Sequence, residues 1–454
     1  MLIPPCDRAA ERAAHSHSVR VLIGNDFGED VRTDRGWTGW WVQRVVWFAT
    51  DGDIVVLPQS PDEDFVAYAT SLTGTRADTL TFVVPPAGTD DAGTLTAGRL
   101  ADPYVVKRLR EVIGDRDVRH LSALWPDAAV ADLARRLGVT TAMPGHGFVS
   151  QSGGALVNSK SAFRALAGGV GVPMPPGAVC TSAEVAQRTI LDLLERGEAV
   201  VVKHDYLSGG RGNEILSTDT TVRPIGARRV VPVTGAAEVK AFLDERWAWL
   251  TAGGRSRPVV ERYYRDSSAF FAEYTVTDSG PRLAGTGELL SAPYAVGQVM
   301  PAQGLEPDVL DRLVEGSGRL ATALHAVGYR GTLSPDAIVT PRREVLFTEY
   351  NGRITGSTHI YGVIGDAVVG PGFGEDRIIL ERVWPEGWST PSFAAARDRL
   401  TKAGLAYRPE ARTGVVLTNA HDGRDGVMYC VVAEDLDRAW ACDRALKPLF
   451  TQQE

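Results

Sequence analysis

Two strand-like runs, Gly331–Val339 and Val345–Arg353, are joined by the short turn Pro341–Glu344. A proline-led polar turn between two such runs predicts an antiparallel hairpin. The hairpin sets Asp336 on the strand beside Glu349-Tyr-Asn351-Gly-Arg353, thirteen positions before Glu349. Residues two apart on a strand share a face, so Glu349, Asn351 and Arg353 line one side. Two carboxylates and an amide oxygen are hard ligands, suited to a Mg²⁺ ion that keeps waters and bridges phosphates. The arginine adds a planar fork for a phosphate or carboxylate. The same pattern also fits a polar strand face held by a structural ion pair.

Upstream, Ala199–Lys203 reads as an apolar strand ending in lysine, followed by Ser208-Gly209-Gly210-Arg211-Gly212-Asn213. A lysine at a strand end can reach a phosphate, and a glycine-rich turn frees backbone N–H groups to cover the same anion. A solvated lysine before a flexible hairpin is the plainer alternative. No Gly-Lys-Ser/Thr occurs, which excludes a P-loop. Pro258–Tyr264 is a strand running into a charged, aromatic hinge, where Glu261 could accept from an adenine amino group, with Tyr263 alongside. Asp266 or Ser268 would then meet a ribose. Lys160, in Asn158-Ser-Lys160, opens a helix and offers a second phosphate contact. Taken singly, Glu261 is better read as an ordinary surface acid, and a first-turn helix lysine needs no phosphate to explain it.

The remaining sequence limits the alternatives. The net charge of −8 disfavours a general nucleic-acid or anionic-membrane binder. Cys6, Cys180, Cys430 and Cys442 form no CxxC framework, the eight histidines form no HExxH pair, and no GxSxG occurs. Reduced thiols, a polar N-terminus and the lack of an apolar span predict a cytoplasmic protein. His204 and His359 adjoin the phosphate and metal segments. Trp37, Trp40, Trp41 and Trp47 predict core or interdomain packing, and Gly24–Gly28 lacks a full dinucleotide fingerprint.

Strands at Val19–Ile23, Ile54–Leu57 and Thr81–Val84 alternate with helices at Tyr104–Val112 and Ala128–Leu137, which predicts an open α/β domain. The expected organisation is a lead-in over 1–18, an N-terminal α/β domain over 19–145, a catalytic core over 146–385 and a C-terminal domain over 386–454. The Gly-, Ser- and His-rich stretch Met143–Gly154 reads as the linker into the core. Within that core and after it, helices are expected at Ser159–Leu166, Ser182–Leu194, Ala237–Trp249, Pro307–Val327 and Phe393–Ala403.

A lysine, a strand lysine, a glycine loop, a Glu hinge and then Asp…Glu-x-Asn-x-Arg follow one another in a single contiguous region. That succession resembles the ATP-grasp superfamily, whose α+β core holds ATP between two lobes behind a pre-ATP-grasp domain. The resemblance implies ATP and two Mg²⁺ ions as cofactors, with Mn²⁺ an allowed substitute. It assigns Lys160, Lys203, Ser208, Gly209, Gly210 and Gly212 to phosphates, and Glu261, Tyr263, Asp266 and Ser268 to the nucleoside. Asp336, Glu349 and Asn351 become metal ligands, while Arg353 and Lys203 serve catalysis. Glu-x-Asn-x-Arg is similar to the branch of biotin carboxylases and amino-acid ligases, and the whole layout resembles peptide ligases of the pheganomycin type. This implies an amino-acid carboxylate and a peptide amine as substrates, with a homodimer as a common assembly. Ser334 stands where D-alanine ligases carry an anion-binding arginine. A bicarbonate-activating carboxylase and a non-catalytic nucleotide binder are the rival readings.

Overall fold

The computed structural model describes residues 18–26, 39–86 and 93–451. Cys6, Phe27, Gly28 and Trp37, singled out in the sequence, lie outside them. Four parallel strands form the first sheet: β1 (Ser18–Ile23), β2 (Ile54–Val56), β3 (Thr81–Val83) and β4 (Asp117–Ala123), in the order β3-β2-β1-β4. Parallel strands covered by helices must be apolar on both faces, and Val19, Val21, Ile23, Ile54 and Val56 are all buried. Arg20 of β1 is a buried charge among them, and its guanidinium is answered by Asp53 on the neighbouring element.

The second sheet contains β5 (Gly177–Val179), β6 (Ala199–Lys203), β7 (Asn213–Ser217), β8 (Val230–Pro232) and β9 (Val259–Tyr263), ordered β5-β9-β6-β7-β8. Helices Ala183–Glu195 and Ala236–Leu250 cover it, the first opened by Ser182, whose hydroxyl caps Val185 N–H. An N-cap of this kind contributes about 1 kcal/mol.

The third sheet is antiparallel throughout and includes β10 (Ser268–Thr277), β11 (Gly280–Ser291), β12 (Ala295–Met300), β13 (Gly331–Val339), β14 (Val345–Asn351), β15 (Ile378–Arg382), β16 (Gly414–Leu417) and β17 (Tyr429–Ala433). Its order is β14-β13-β10-β11-β12-β15-β17-β16, so the predicted hairpin forms one edge and the C-terminal strands form the other. Helix Pro307–Ala326 starts at a proline and packs Leu313, Leu320 and Leu324 into the core beneath the hairpin.

Two expectations need correction. Met143–Gly154 is no bare linker: it contains the short helices His146–Val149 and Gly153–Leu156. A Cβ on Gly154 would stand 2.1 Å from the Pro126 carbonyl oxygen, so close backbone packing explains that glycine. The sequence also suggested no strands between residues 265 and 306, where β10, β11 and β12 lie. Trp47 does pack between distant parts of the chain, its indole N–H donating to the Thr418 carbonyl at 2.8 Å. Trp40 and Trp41 meet edge to face at 5.8 Å.

Candidate active site

The β13–β14 register places Asp336 directly opposite Glu349, and Ser334 opposite Asn351. The Asn351 amide donates to Asp336 Oδ2 at 3.1 Å. Burial is the largest influence on Asp336, and with the Glu349 charge beside it the Asp336 carboxyl titrates well above the usual range. Burial pushes Glu349 the same way, but Lys160, Lys203 and Arg353 outweigh it and hold Glu349 low. The two facing carboxyls are thus driven apart, Asp336 upward by burial and the Glu349 charge, Glu349 downward by the cations around it.

Lys160 is the ammonium nearest that charge, with Nζ 2.8 Å from Glu349 Oε2. The same Nζ donates to the carbonyls of Leu207, at 2.6 Å, and Asp205, at 3.5 Å. Its helix, Lys160–Gly169, is capped by Ser159, and Ser161 N–H donates to Asp205 Oδ1 at 2.8 Å. The helix start is therefore clamped to the segment leading from β6 into the glycine loop.

Lys203, buried at the end of β6, pairs with Glu261 of β9, and Arg164 Nη1 holds the other Glu261 oxygen at 2.9 Å. The sequence suggested Glu261 for an adenine amino group. In the structure each of its oxygens already faces a cation, so what Glu261 visibly does is fix Lys203. Tyr263 ends β9 with its hydroxyl donating to the Ile225 carbonyl at 3.3 Å. Asp266, with φ of 55°, turns the chain into β10, where Ser268 is exposed opposite Val339.

Ser208 to Gly212 form the expected turn, with Gly209 and Gly210 both at positive φ. The loop has no apolar side chain to hold it, but two polar contacts do. Ala295 N–H donates to the Gly209 carbonyl at 3.4 Å, and the Arg211 guanidinium lies 4.9 Å from the Tyr294 ring centre. Gly210 also approaches Gly226 so closely that a Cβ would stand 2.7 Å from its carbonyl carbon. The loop thus leans on the β11–β12 turn of the other lobe.

Arg353 follows β14 and is nearly buried. It hydrogen-bonds Asn158 Oδ1 and stacks 4.7 Å above the Trp125 ring, with burial drawing its guanidinium down to about 10 against the pull of Glu349 and Asp336. His204 sits against Trp249 at 5.5 Å, and its Nδ1 accepts from Tyr206 N–H. His359 is buried beside Arg44 and Thr418, and burial draws its imidazole well below the usual range.

Lys160, Lys203, Arg353, Asp336, Glu349 and Asn351 therefore meet at one place, with Glu261 joined through Lys203. Asp266 and Ser268 lie on the turn beyond. Sequence reasoning missed Arg164 and Asp205, although Arg164 follows Lys160 by one helical turn and Asp205 follows Lys203 by one strand repeat. Nothing local marked Trp125 as the platform under Arg353.

The fold has relatives among known proteins. Residues 42–139 match the model of the pre ATP-grasp domain, and residues 395–446 match that of the PGM1 C-terminal domain. The chain overlays along almost its whole length on a biotin carboxylase–β,γ-ATP complex from Campylobacter jejuni. The identity is 14%, covering 97% of this chain and 92% of that one, with a TM-score of 0.60.

This is an ATP-grasp fold.

An N5-carboxyaminoimidazole ribonucleotide synthetase bound to ADP shares the ATP-grasp architecture at 12% identity, over 95% of this chain and 96% of that one, with a TM-score of 0.57. The biotin carboxylase domain of 2-oxoglutarate carboxylase from Hydrogenobacter thermophilus, solved with MgADP, ADP and bicarbonate, matches at 15% identity. It covers 95% of this chain and 90% of that one, with a TM-score of 0.57. No curated protein matches the sequence.

The donor set fits a phosphate-bridged magnesium site. Among the described residues no three His, Cys, Asp or Glu side chains gather to hold a metal ion. Two opposed carboxylates and an amide are too few for an all-protein cage but suit an ion that shares its coordination with phosphate oxygens and water. The Lys160 ammonium supplies cationic charge beside Glu349. No helix among the described residues is long and apolar enough to cross a membrane.

Proposed function

We propose that this chain is an ATP-dependent carboxylate–amine ligase that joins an amino-acid carboxylate to the amino end of a peptide. The supporting observation is the convergence of Lys160, Lys203 and Arg353 on the facing carboxylates Asp336 and Glu349. Three cations and two acids in one buried place suit the transfer of a phosphoryl group between anions, where positioning and charge neutralisation supply most of the acceleration. Magnesium, held by Asp336, Glu349 and Asn351, would neutralise the triphosphate. Lys160 and Lys203 would move from their carboxylate partners to phosphate oxygens. Arg353 would hold the acceptor carboxylate with its fork.

In the first step a carboxylate oxygen attacks the γ-phosphorus, the bond to the β–γ bridging oxygen breaks, and ADP leaves. An acyl phosphate is formed. The amine nitrogen then attacks the acyl carbon, inorganic phosphate leaves, and one proton is lost from nitrogen to solvent. With an ¹⁸O-labelled carboxylate, one label should appear in inorganic phosphate, with ADP as the nucleotide product. AMP and pyrophosphate would mean adenylation and would overturn the reading. A second reading, activation of bicarbonate, is favoured by the carboxylating enzymes among the structural neighbours. ADP release that depends on bicarbonate and on no amino acid would select it.

A further inference from the structure

Arg353 stands on a stretch of chain that is tied down on both sides. Before it, Gly352 N–H donates to the Val157 carbonyl at 2.8 Å, and after it Ile354 N–H donates to the Leu124 carbonyl at 3.0 Å. The chain then turns through Thr355-Gly356-Ser357-Thr358 and leads into helix Ile360–Val369. A buried carboxylate from another strand meets that turn. Glu273 Oε2 accepts from Thr355 Oγ1 at 3.2 Å, from Ser357 Oγ at 3.0 Å and from Thr358 Oγ1 at 2.9 Å. The turn's backbone joins the same network, Thr355 N–H donating to Thr358 Oγ1 at 3.0 Å and Ser357 N–H to Thr355 Oγ1 at 3.2 Å.

Glu273 belongs to β10, where Phe271 pairs with Asp336, and Asp336 pairs in turn with Glu349. Paired residues share a face of the sheet, as do residues two apart on one strand, so Glu273 rises from the same face as the two site carboxylates. Opposite it on β11 is Gly285, where a Cβ would stand 1.8 Å from the ring of Tyr361, at the start of the helix. Glu273 and Arg353 are near enough to one another that both charges act on the buried Tyr329 phenol, in opposite senses. Burying a carboxylate is costly, and Glu273 is 1% exposed. An apolar residue would pack sheet against helix at lower cost. What the acid adds is direction, because three hydrogen bonds converging on one oxygen fix where the turn stands.

We infer that Glu273 is a positioning residue for Arg353: by gripping Thr355, Ser357 and Thr358 it sets the chain that presents the guanidinium to the acceptor carboxylate. Trp125 and Asn158 hold the guanidinium itself, the first beneath it and the second at Nη1. Glu273 holds the backbone behind it. The inference rests on the ligase reading, in which Arg353 receives the carboxylate, and adds a residue that acts through the arginine rather than by touching substrate.

The test is a double-mutant cycle read through an acyl-phosphate trap. Hydroxylamine captures an acyl phosphate as a hydroxamate, and mass spectrometry shows which of the twenty proteinogenic amino acids the wild-type enzyme takes with MgATP. Kinetics with that amino acid then compare wild type, Glu273→Gln, Arg353→Lys and the double variant. Glu273→Gln should lower kcat/KM for the amino acid by about 10–100-fold, the scale of a small misplacement of an aimed group, with KM for ATP within twofold of wild type. In the Arg353→Lys background the same change should cost no more than a further twofold, because the arginine it positions is gone. Thr358→Val should reproduce part of the loss, and Thr358→Ser, which keeps the hydroxyl, should keep wild-type values. Thermal unfolding reports whether each variant is folded; if Glu273→Gln does not fold, Thr358→Val takes its place in the cycle. Losses that multiply in the double variant, or ATP and amino acid affected alike, make Glu273 a general support of the fold and overturn the inference. Wild-type kcat/KM in folded Glu273→Gln overturns it too. A wild-type enzyme that forms no hydroxamate with any of the amino acids overturns the ligase reading, and the inference falls with it.

Discussion

Replacing Arg353 by lysine separates a ligase from a passive nucleotide binder. The guanidinium stacks on Trp125 at 4.7 Å and hydrogen-bonds Asn158 Oδ1. Lysine keeps the positive charge that Asp336 and Glu349 face, so the electrostatic balance of the pair survives. It loses the planar stack, about 0.5–2 kcal/mol in such a site, and part of a charge-assisted hydrogen bond of about 1.5–3 kcal/mol. Arg353→Lys should therefore destabilise the protein by roughly 1–3 kcal/mol and leave it folded. ATP affinity, which the proposed site assigns to Lys160, Lys203 and the glycine loop, should stay within a few-fold. Turnover should fall by about 10²–10³, the usual effect of losing one aimed donor at a developing oxyanion. Calorimetric titration of nucleotide beside steady-state ligation on the purified variant measures both quantities. Collapse of ATP affinity with turnover preserved at saturating ATP would put Arg353 in the nucleotide site and refute the assignment.

Glu349→Gln should cut turnover at least ~10²-fold with the fold intact, because ion positioning carries most of phosphoryl-transfer catalysis; near-normal turnover in excess Mg²⁺ would remove Glu349 from the site. Amide exchange at Gly209–Gly212 should slow when an ATP analogue and Mg²⁺ are added, and should quicken in the nucleotide-free Arg211→Ala variant, which loses the Tyr294 stack. Equal exchange with and without nucleotide argues against a lid. Glu273 gives a pH signature, since burial lifts its carboxyl to about 7 although Thr358, Ser357 and Thr355 donate to it. The folded state therefore holds this proton more tightly than the unfolded chain. Its stabilisation is complete below about pH 4.5 and is lost as pH rises through about 7, by roughly 3 kcal/mol at about 1.4 kcal/mol per pH unit. Glu273→Gln should flatten that decline in thermal midpoints measured from pH 4.5 to 8, and an unchanged slope would show that Glu273 does not titrate this way.

The hairpin, the strand lysine and the glycine loop were legible because each is a local pattern. Apolar runs, a proline-led turn and clustered glycines state their geometry within a few residues, and β6 and β13 match their expected bounds residue for residue. Strands β10 to β12 were hidden because their glycines look like turn signals but serve tertiary packing. A Cβ on Gly285 would fall 1.8 Å from the Tyr361 ring, and one on Gly287 would fall 2.3 Å from Phe271. Partners of that kind lie far along the chain or across the sheet and leave no periodic trace. The same holds for the site: Lys160 and Glu349 were each visible, but their 2.8 Å ion pair spans 189 positions. The anchoring of the loop on Tyr294 and Ala295 could not be read either, since the elements presenting those residues were themselves unseen.

The position of β17 between β15 and β16 has a consequence for synthesis on the ribosome. The edge of β15 that faces away from β12 is paired only by residues Tyr429–Ala433. Until those residues emerge, the nascent sheet that already carries Asp336 and Glu349 presents the open backbone of Ile378–Arg382, an apolar strand suited to pairing with another chain. A chain ending anywhere between residues 383 and 428 would therefore be released with β13 and β14 complete and its sheet adhesive. Such truncated chains are the ones expected to aggregate or to recruit chaperones.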